Sequence, residues 1–338
     1  MRSRAVVVPR ARGEATRRAL SEAGLLRDDL AIGHEGEELV FPVREGPLAP
    51  EWGDESIREF ASISRSRPVQ YADLLDWPAD RKELLPRSFD IVGDVVLVRL
   101  PPELVGQGPQ IGAALLRFVP GARIVGADRG VHGPERRRSV ERLAGTGDFR
   151  SRHRENGVEL EVDLERAYFS PRLAREHALV AAEVRDGDAV YDLCCGVGPF
   201  AATIAKAGRA ARVTAVDSNP DAIALLRASL ARGRFSVPVT AIVGTVETFL
   251  PSAEPVPRVV LNLPLEGAKY LTPVARTVAP SGRLYYYEVV PRDGVPTRVN
   301  DVESTLEPRG RWTVVDHRVV HPYSPTADLV AVVLERAA

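Results

Sequence analysis

Gly196 and Gly198 follow an apolar run, Ala189–Leu193, and a second run, Arg212–Val216, ends on Asp217. That order of residue types suits a nucleotide. Without Cβ atoms the chain can bend sharply after a strand and bring backbone N–H groups against a ligand at the next helix N-terminus. A carboxylate at the following strand tip can accept both ribose hydroxyls. The pattern alone fits a dinucleotide fold equally well. Three neighbours favour S-adenosylmethionine. Asp192 stands inside the first strand end, where a carboxylate suits a methionine ammonium better than a pyrophosphate. Pro199–Phe200 caps the turn with a rigid residue and an apolar one, and Asn262–Leu263–Pro264 closes a later run, Arg258–Leu261, at the edge where doubly wound sheets keep their ligands.

The elements that must hold these residues occupy the last half of a 338-residue chain, long enough for two or three domains. From about Arg166 onward strands and helices alternate. Helices are expected near Pro199–Ala207, Pro220–Ala231 and Gly267–Val278, and strands near Val237–Val243, Arg258–Leu261 and Arg283–Val289. Two further runs, Arg311–Val319 and Asp328–Glu335, suit a final antiparallel pair. Ahead of this lies Ser88–Leu100, a hairpin about Gly93–Asp94, then a helix over Glu103–Phe118 and strands at Arg123–Val125 and Val158–Val162, the last preceded by a tight turn at Glu155–Asn156–Gly157. The N-terminus offers strands at Arg4–Val8 and Leu39–Val43 around a helix over Gly13–Ala23. Pro47–Pro86 is read as linker with a short helix or two. We expect three domains, 1–65, 66–165 and 166–338.

The formal net charge is −1, so no global basic field announces nucleic acid. Charge is uneven, however. Arg129, Arg136, Arg137, Arg138, Arg142, Arg150 and Arg152 form a local basic stretch with few acids nearby in the chain. The only two cysteines, Cys194 and Cys195, are adjacent and ill placed to bond each other. That argues for a reducing, cytoplasmic setting, and no apolar run reaches membrane length. The six histidines show no metal-ligand spacing, so no metal is expected. On Tyr285–Tyr286–Tyr287 alternate rings should be buried, leaving one to line a site.

The chain resembles the archaeal and eukaryotic tRNA (guanine-37-N1)-methyltransferases over nearly its whole length. The likeness rests on Ser88–Asp94, Arg136–Gly145, Glu155–Asp163, Tyr168–Glu176, Asp192–Phe200, Asp217–Pro220 and Asn262–Pro264, in that order. It implies a class I Rossmann-like methyltransferase domain preceded by two smaller α/β (α+β) RNA-binding domains, acting as a monomer on the tRNA anticodon loop and docking on the elbow. By the same resemblance S-adenosylmethionine meets Asp192, Cys194, Gly196, Gly198, Phe200, Asp217, Asn219, Thr245 and Asn262, and the substrate meets Arg136, Arg138, Arg172, Asn262 and Pro264.

Guanine N1 carries a proton, so transfer to it needs a base, donors for the charge growing on O6, and an in-line methyl sulfonium. The resemblance gives these tasks to Glu176 as base, Arg136 at the purine oxygen and Asn262 at the guanine edge. Arg137 and Arg138 are equally suited to phosphates. Two departures stand out. His177 occupies a position where the family usually has arginine, and Gly244–Thr245 stands where an acid commonly reads the adenine amine, leaving a backbone carbonyl or Glu247 for that role. Alternatives are a methylase or aminocarboxypropyl transferase of tricyclic guanine biosynthesis, and a tRNA-binding protein without activity.

Overall fold

A computed structural model describes residues 1–27, 29–61, 70–133 and 137–338. The chain forms two compact units, Met1–Leu74 and Leu75–Ala338.

In the first unit β1 (Arg2–Pro9) leads into α1 (Gly13–Glu22), and β2 (Gly33–Glu35), β3 (Glu38–Val43) and β4 (Asp54–Glu59) complete a sheet of order β2-β3-β1-β4. Val6 and Val8 of β1 pack with Leu20, Phe41 and Val43 in its core. The strand β4 corrects the reading of Pro47–Pro86 as linker. Its sequence, Asp54–Glu55–Ser56–Ile57–Arg58–Glu59, is nearly all polar because it is an edge strand, and charge on such an edge discourages pairing with another chain.

The second unit opens with α2 (Ala79–Glu83) and the hairpin β5 (Asp90–Val92) and β6 (Val95–Val98). Gly93 turns that hairpin with φ +58°, and a Cβ there would lie 2.1 Å from Ser151 Oγ and 2.3 Å from the Arg152 carbonyl oxygen. After a 3-10 turn α3 (Gly108–Phe118) leads to β7 (Ile124–His132) and β8 (Arg137–Gly145), closing a sheet of order β5-β6-β7-β8. Arg137, Arg138 and Arg142 of the arginine-rich stretch thus lie on β8, a strand the sequence reading missed. A second hairpin, β9 (Arg150–Glu155) and β10 (Val158–Asp163), turns at Asn156 and Gly157, both at positive φ as a tight two-residue turn demands.

Then come α4 (Ala174–Glu183), β11 (Ala189–Leu193), α5 (Pro199–Ala207), β12 (Arg212–Asp217), α6 (Pro220–Arg232), β13 (Val239–Val243), α7 (Val246–Phe249), β14 (Val256–Asn262), α8 (Leu271–Ala275), β15 (Val278–Pro291), α9 (Val295–Leu306), β16 (Trp312–Pro322) and β17 (Ala327–Arg336). The seven strands lie in the order β13-β12-β11-β14-β15-β17-β16, and β17 is antiparallel to both its neighbours. This is the doubly wound class I architecture expected, with the strand order reversing beside β11, where such sheets bind ligands. Apolar clusters cover both faces of the sheet. For that reason Tyr285, Tyr286 and Tyr287 are all at most 1% exposed, rather than alternating in and out. The helix expected over Gly267–Val278 is shorter: α8 ends at Ala275, because Val278 already pairs with Val256 of β14.

One apolar cluster joins Val92, Val95 and Ile124 of the β5–β8 sheet, Leu160 and Val162 of β10, and Val197, Ala202 and Ala222 of the seven-stranded region. Burying such side chains is worth roughly 1.5–3 kcal/mol each, so the segments on either side of residue 165 share a core.

Candidate active site

A cavity of about 300 Å³ opens at the carboxyl ends of β11, β12 and β14, at the lower end of the roughly 300–1,000 Å³ typical of small-molecule sites. Its wall includes Tyr168 and Ser170 ahead of α4, Cys194–Gly196 after β11, Asp217–Asn219 after β12, Gly244–Glu247 after β13 and Asn262–Pro264 after β14. His321, Tyr323 and Leu329 of the β16–β17 hairpin close one side.

Local sequence shapes the floor. Cys194 has φ +63°, Gly196 +57° and Gly198 +76°. At Gly196 an added Cβ would approach only the Tyr168 carbonyl oxygen, at 3.4 Å. At Gly198 it would fall 2.4 Å from Leu226 Cδ1, so Gly198 serves close packing of α5 on α6. Asp217 accepts from the Gly196 N–H at 2.7 Å and the Asn219 N–H at 2.9 Å, which pins the acid beneath the turn. Asn219 caps α6, accepting from the Asp221 N–H at 3.0 Å while its amide donates to the Arg166 carbonyl at 2.7 Å. Thr245 caps α7 in a reciprocal pair with Thr248. Asn219 and Thr245 therefore line the cavity as parts of caps.

Asn262 differs from these. Its Oδ1 is buried without a hydrogen-bond partner among the described residues. An orphaned acceptor on a cavity wall fits a ligand that brings an N–H to it. The glycine turn, the strand-tip acid Asp217 and the free acceptor of Asn262 fit an adenosyl amino acid in the manner read from the sequence.

Several expected site residues lie elsewhere. Phe200 is 1% exposed and packs against His177 and Tyr287, with ring centroids 4.5 and 5.5 Å away. Asp192 is also fully buried outside the cavity wall. Its Oδ2 accepts from the Ala201 N–H at the α5 N-terminus at 3.1 Å. Burial pushes its carboxyl up to about 7, against the Ala201 hydrogen bond and with help from Asp217. The same burial raises the Cys194 thiol to about 12, so it stays protonated on the wall.

Among the arginines, Arg138 is buried, 2.5 Å from Asp128 Oδ2, and donates to the Phe169 carbonyl at 3.2 Å. Its guanidinium also stands 5.6 Å from the Tyr168 ring centroid. It fastens β8 to the segment entering α4. Arg172 pairs with Asp90 at 2.9 Å. Much of the basic stretch is paired with acids on the neighbouring strand, 7–12 residues away: Glu141 beside Arg129, Glu161 beside Arg150 and Glu159 beside Arg152. Arg136 lies outside the described residues.

Glu176 is 3% exposed and does not line the cavity. Its carboxylate receives Arg318 Nε at 3.0 Å, a terminal Arg318 nitrogen at 2.6 Å and the Tyr287 hydroxyl at 3.1 Å. Neither partner was foreseen; only the run of three tyrosines hinted at Tyr287. Next to it His177 Nδ1 stands 2.5 Å from Glu155 Oε1. Burial would raise Glu155, but hydrogen bonds from His153 and His177 outweigh it and hold the carboxyl near 2. An ionised carboxylate only accepts, so Nδ1 carries the proton. His177 thus fills the usual arginine position with a different donor to a buried acid.

Three family models match the chain in succession: the tRNA methyltransferase 5 N-terminal domain over residues 5–50, the TYW2 N-terminal domain over 71–148 and the TRM5/TYW2 methyltransferase domain over 151–310. The tRNA (guanine(37)-N(1))-methyltransferase Trm5b of Pyrococcus abyssi is 31% identical over 332 residues, covering 97% of each chain. The crystal structure of that organism's Trm5b superposes with a TM-score of 0.75 at 30% identity, covering 99% of this chain and 100% of the other. A complex of aTrm5 with tRNALeu follows at a TM-score of 0.71 and 26% identity, covering 98% and 99%. The chain belongs to the tRNA (guanine(37)-N(1))-methyltransferase family.

Proposed function

We propose that the protein transfers a methyl group from S-adenosylmethionine to N1 of guanosine 37 in tRNA. The observation that carries this reading is the continuity of one cavity from the glycine turn and Asp217 to Asn262–Leu263–Pro264, in a chain that matches a relative of that name from end to end. The bound cofactor supplies an electrophilic methyl on a sulfonium. The new bond forms from guanine N1 to that carbon while the carbon–sulfur bond breaks, and the N1 proton passes to Glu176.

Asn262 presents its unpartnered Oδ1 to an N–H of the guanine edge or of the cofactor, and Pro264 stiffens the loop beside it. Arg136 donates to O6 as charge grows there. Asp217 takes the ribose hydroxyls, and a backbone carbonyl of Gly244–Thr245 or the Glu247 carboxylate takes the adenine amine. The first 65 residues and residues 66–165 act as tRNA-binding modules ahead of a catalytic module over 166–338. The chain works as a monomer, and its two unpaired cysteines suit a reducing compartment such as the cytoplasm.

Incubating the protein with S-adenosylmethionine and unmodified tRNA carrying G37 or A37, then analysing nucleosides by mass spectrometry, tests the reading. N1-methylguanosine from the G37 substrate alone is expected. The match of residues 71–148 to a TYW2 N-terminal domain makes an aminocarboxypropyl product the second reading, and the added mass separates the two.

A further inference from the structure

The two side chains that hold the Glu176 carboxylate come from 111 and 142 residues further along the chain. Tyr287 lies on central strand β15, whereas Arg318 lies on edge strand β16. Arg318 engages both carboxylate oxygens in the parallel, two-pronged geometry that makes such pairs strong and directional. That geometry has two chemical consequences. The guanidinium compensates a charge that would otherwise be buried alone, and it occupies the oxygens that a substrate proton needs.

The surroundings of Arg318 suit a group that changes partner. Its side chain retains 23% exposure while Glu176 retains 4%, so solvent reaches the cation and not the acid. A second carboxylate, the half-exposed Asp316 on the same strand, already touches the guanidinium. Register shifts interrupt the β16–β17 pairing between Val314 and Asp316 and again between Val319 and His321, on either side of Arg318. Bulges bend a strand and re-aim its side chains. Just beyond the second bulge His321 and Tyr323 stand in the cavity wall. A base entering the cavity therefore meets the strand that carries the partner of Glu176.

We propose that Arg318 is a positioning residue for proton removal, bracing both oxygens of Glu176 in the resting enzyme and turning toward Asp316 when the target guanine is seated. The inference rests on Glu176 being the base. The groups that face its carboxylate are Arg318 and, behind it, Asp316 from β16, and Tyr287 with Tyr285 beside it from β15; His177, next in its own helix, is tied to Glu155 of β9. Among these Arg318 alone bonds both carboxylate oxygens.

Methyl transfer to G37 tRNA, measured as kcat/KM from pH 5 to 9 so that the profile reports the resting enzyme, with S-adenosylmethionine affinity followed in parallel, tests it. Arg318→Gln should move the acidic limb of the rate profile to higher pH, with a loss of at least tenfold at low pH that shrinks toward the alkaline plateau. Arg318→Lys, keeping the charge but not the fork, should restore most of the limb. A rate lowered equally at every pH, or left unchanged, overturns the proposal. If Arg318→Gln no longer binds S-adenosylmethionine, the lysine variant carries the test, with a smaller displacement expected and a parallel loss overturning it. Glu176→Gln separates the two readings: full activity in that variant removes Glu176 as base, whereas an inactive Glu176→Gln beside an unmoved limb in Arg318→Gln removes only the role of Arg318.

Discussion

At the turn after β11 most polar groups find partners 2–21 residues away: Asp217 holds Gly196 and Asn219, Asn219 caps its own helix, and Asp192 reaches the Ala201 N–H nine residues on. At the start of α4, Glu176 depends on Tyr287 and Arg318, which arrive only after the whole seven-stranded sheet has assembled. The first region is built by local rules, glycine at positive φ and capped helix ends. The second is built by tertiary structure. The proposed function assigns a cofactor common to many enzymes to the local construction and the chemistry particular to this reaction to the remote one.

The sharpest way to break this contrast is to remove charge from the remote region alone. Glu176→Gln keeps the side chain's shape and deletes the acceptor of the N1 proton. The expected loss in the methyl-transfer rate is about 10²–10⁴-fold, the usual worth of a positioned general base. Equilibrium titration should show S-adenosylmethionine binding nearly unchanged, because the glycine turn does not involve Glu176. Loss of cofactor binding instead would merge the two regions into one.

The converse experiment disturbs the local region. Gly198→Ala places a Cβ 2.4 Å from Leu226 Cδ1 at a residue held at φ +76°. Left-handed backbone costs a non-glycine residue roughly 1–2 kcal/mol before the leucine moves. Denaturant unfolding should therefore show a stability loss of about 2 kcal/mol, with weakened cofactor binding. Unchanged stability would mean that α5 and α6 adjust freely.

This contrast also explains what the sequence disclosed. Gly196, Asp217 and Asn262 were legible because residue type and spacing place them on one cavity wall, whereas Gly198 lies off that wall and packs α5 on α6. The strand β4 and the arginine strand β8 were not legible, since charged residues on an edge strand or in ion pairs erase the alternation that marks a half-buried strand. The position of Phe200 after the turn was readable while the direction of its ring was not. The Arg318–Glu176 pair could not be read at all: nothing local to either residue names a partner 142 positions away.

A smaller effect is expected at Glu155, whose carboxyl lies well below the ordinary 4.5, near 2. A carboxyl depressed by folding stabilises the native state above its unfolded value, and that contribution disappears as pH falls from about 4.5 through 2. Glu155→Gln should lower stability at neutral pH and flatten the acid side of the stability curve in that window, with His177 losing its buried partner. A curve parallel to that of the parent protein in chemical denaturation would show that the two histidines do not depend on this acid.

An effect of opposite sign is expected at Asp192, the exception within the local region, because one of its oxygens, Oδ1, has no partner among the described residues. Folding raises this carboxyl from 3.8 to about 7, so between those values the native state binds more protons than the unfolded chain. The sign is therefore opposite to that of Glu155: the contribution is complete below pH 3.8 and is lost as pH rises through about 7. Asp192→Asn keeps an acceptor for the Ala201 N–H and removes the titrating proton. Chemical denaturation of the variant at pH 8 should show stability equal to or above that of the parent, and the downward slope between about 4 and 7 should vanish. A loss of stability at every pH would mean that Oδ1 has a partner the buried site does not display, and the division between a locally satisfied turn and a remotely satisfied α4 would need redrawing at this residue.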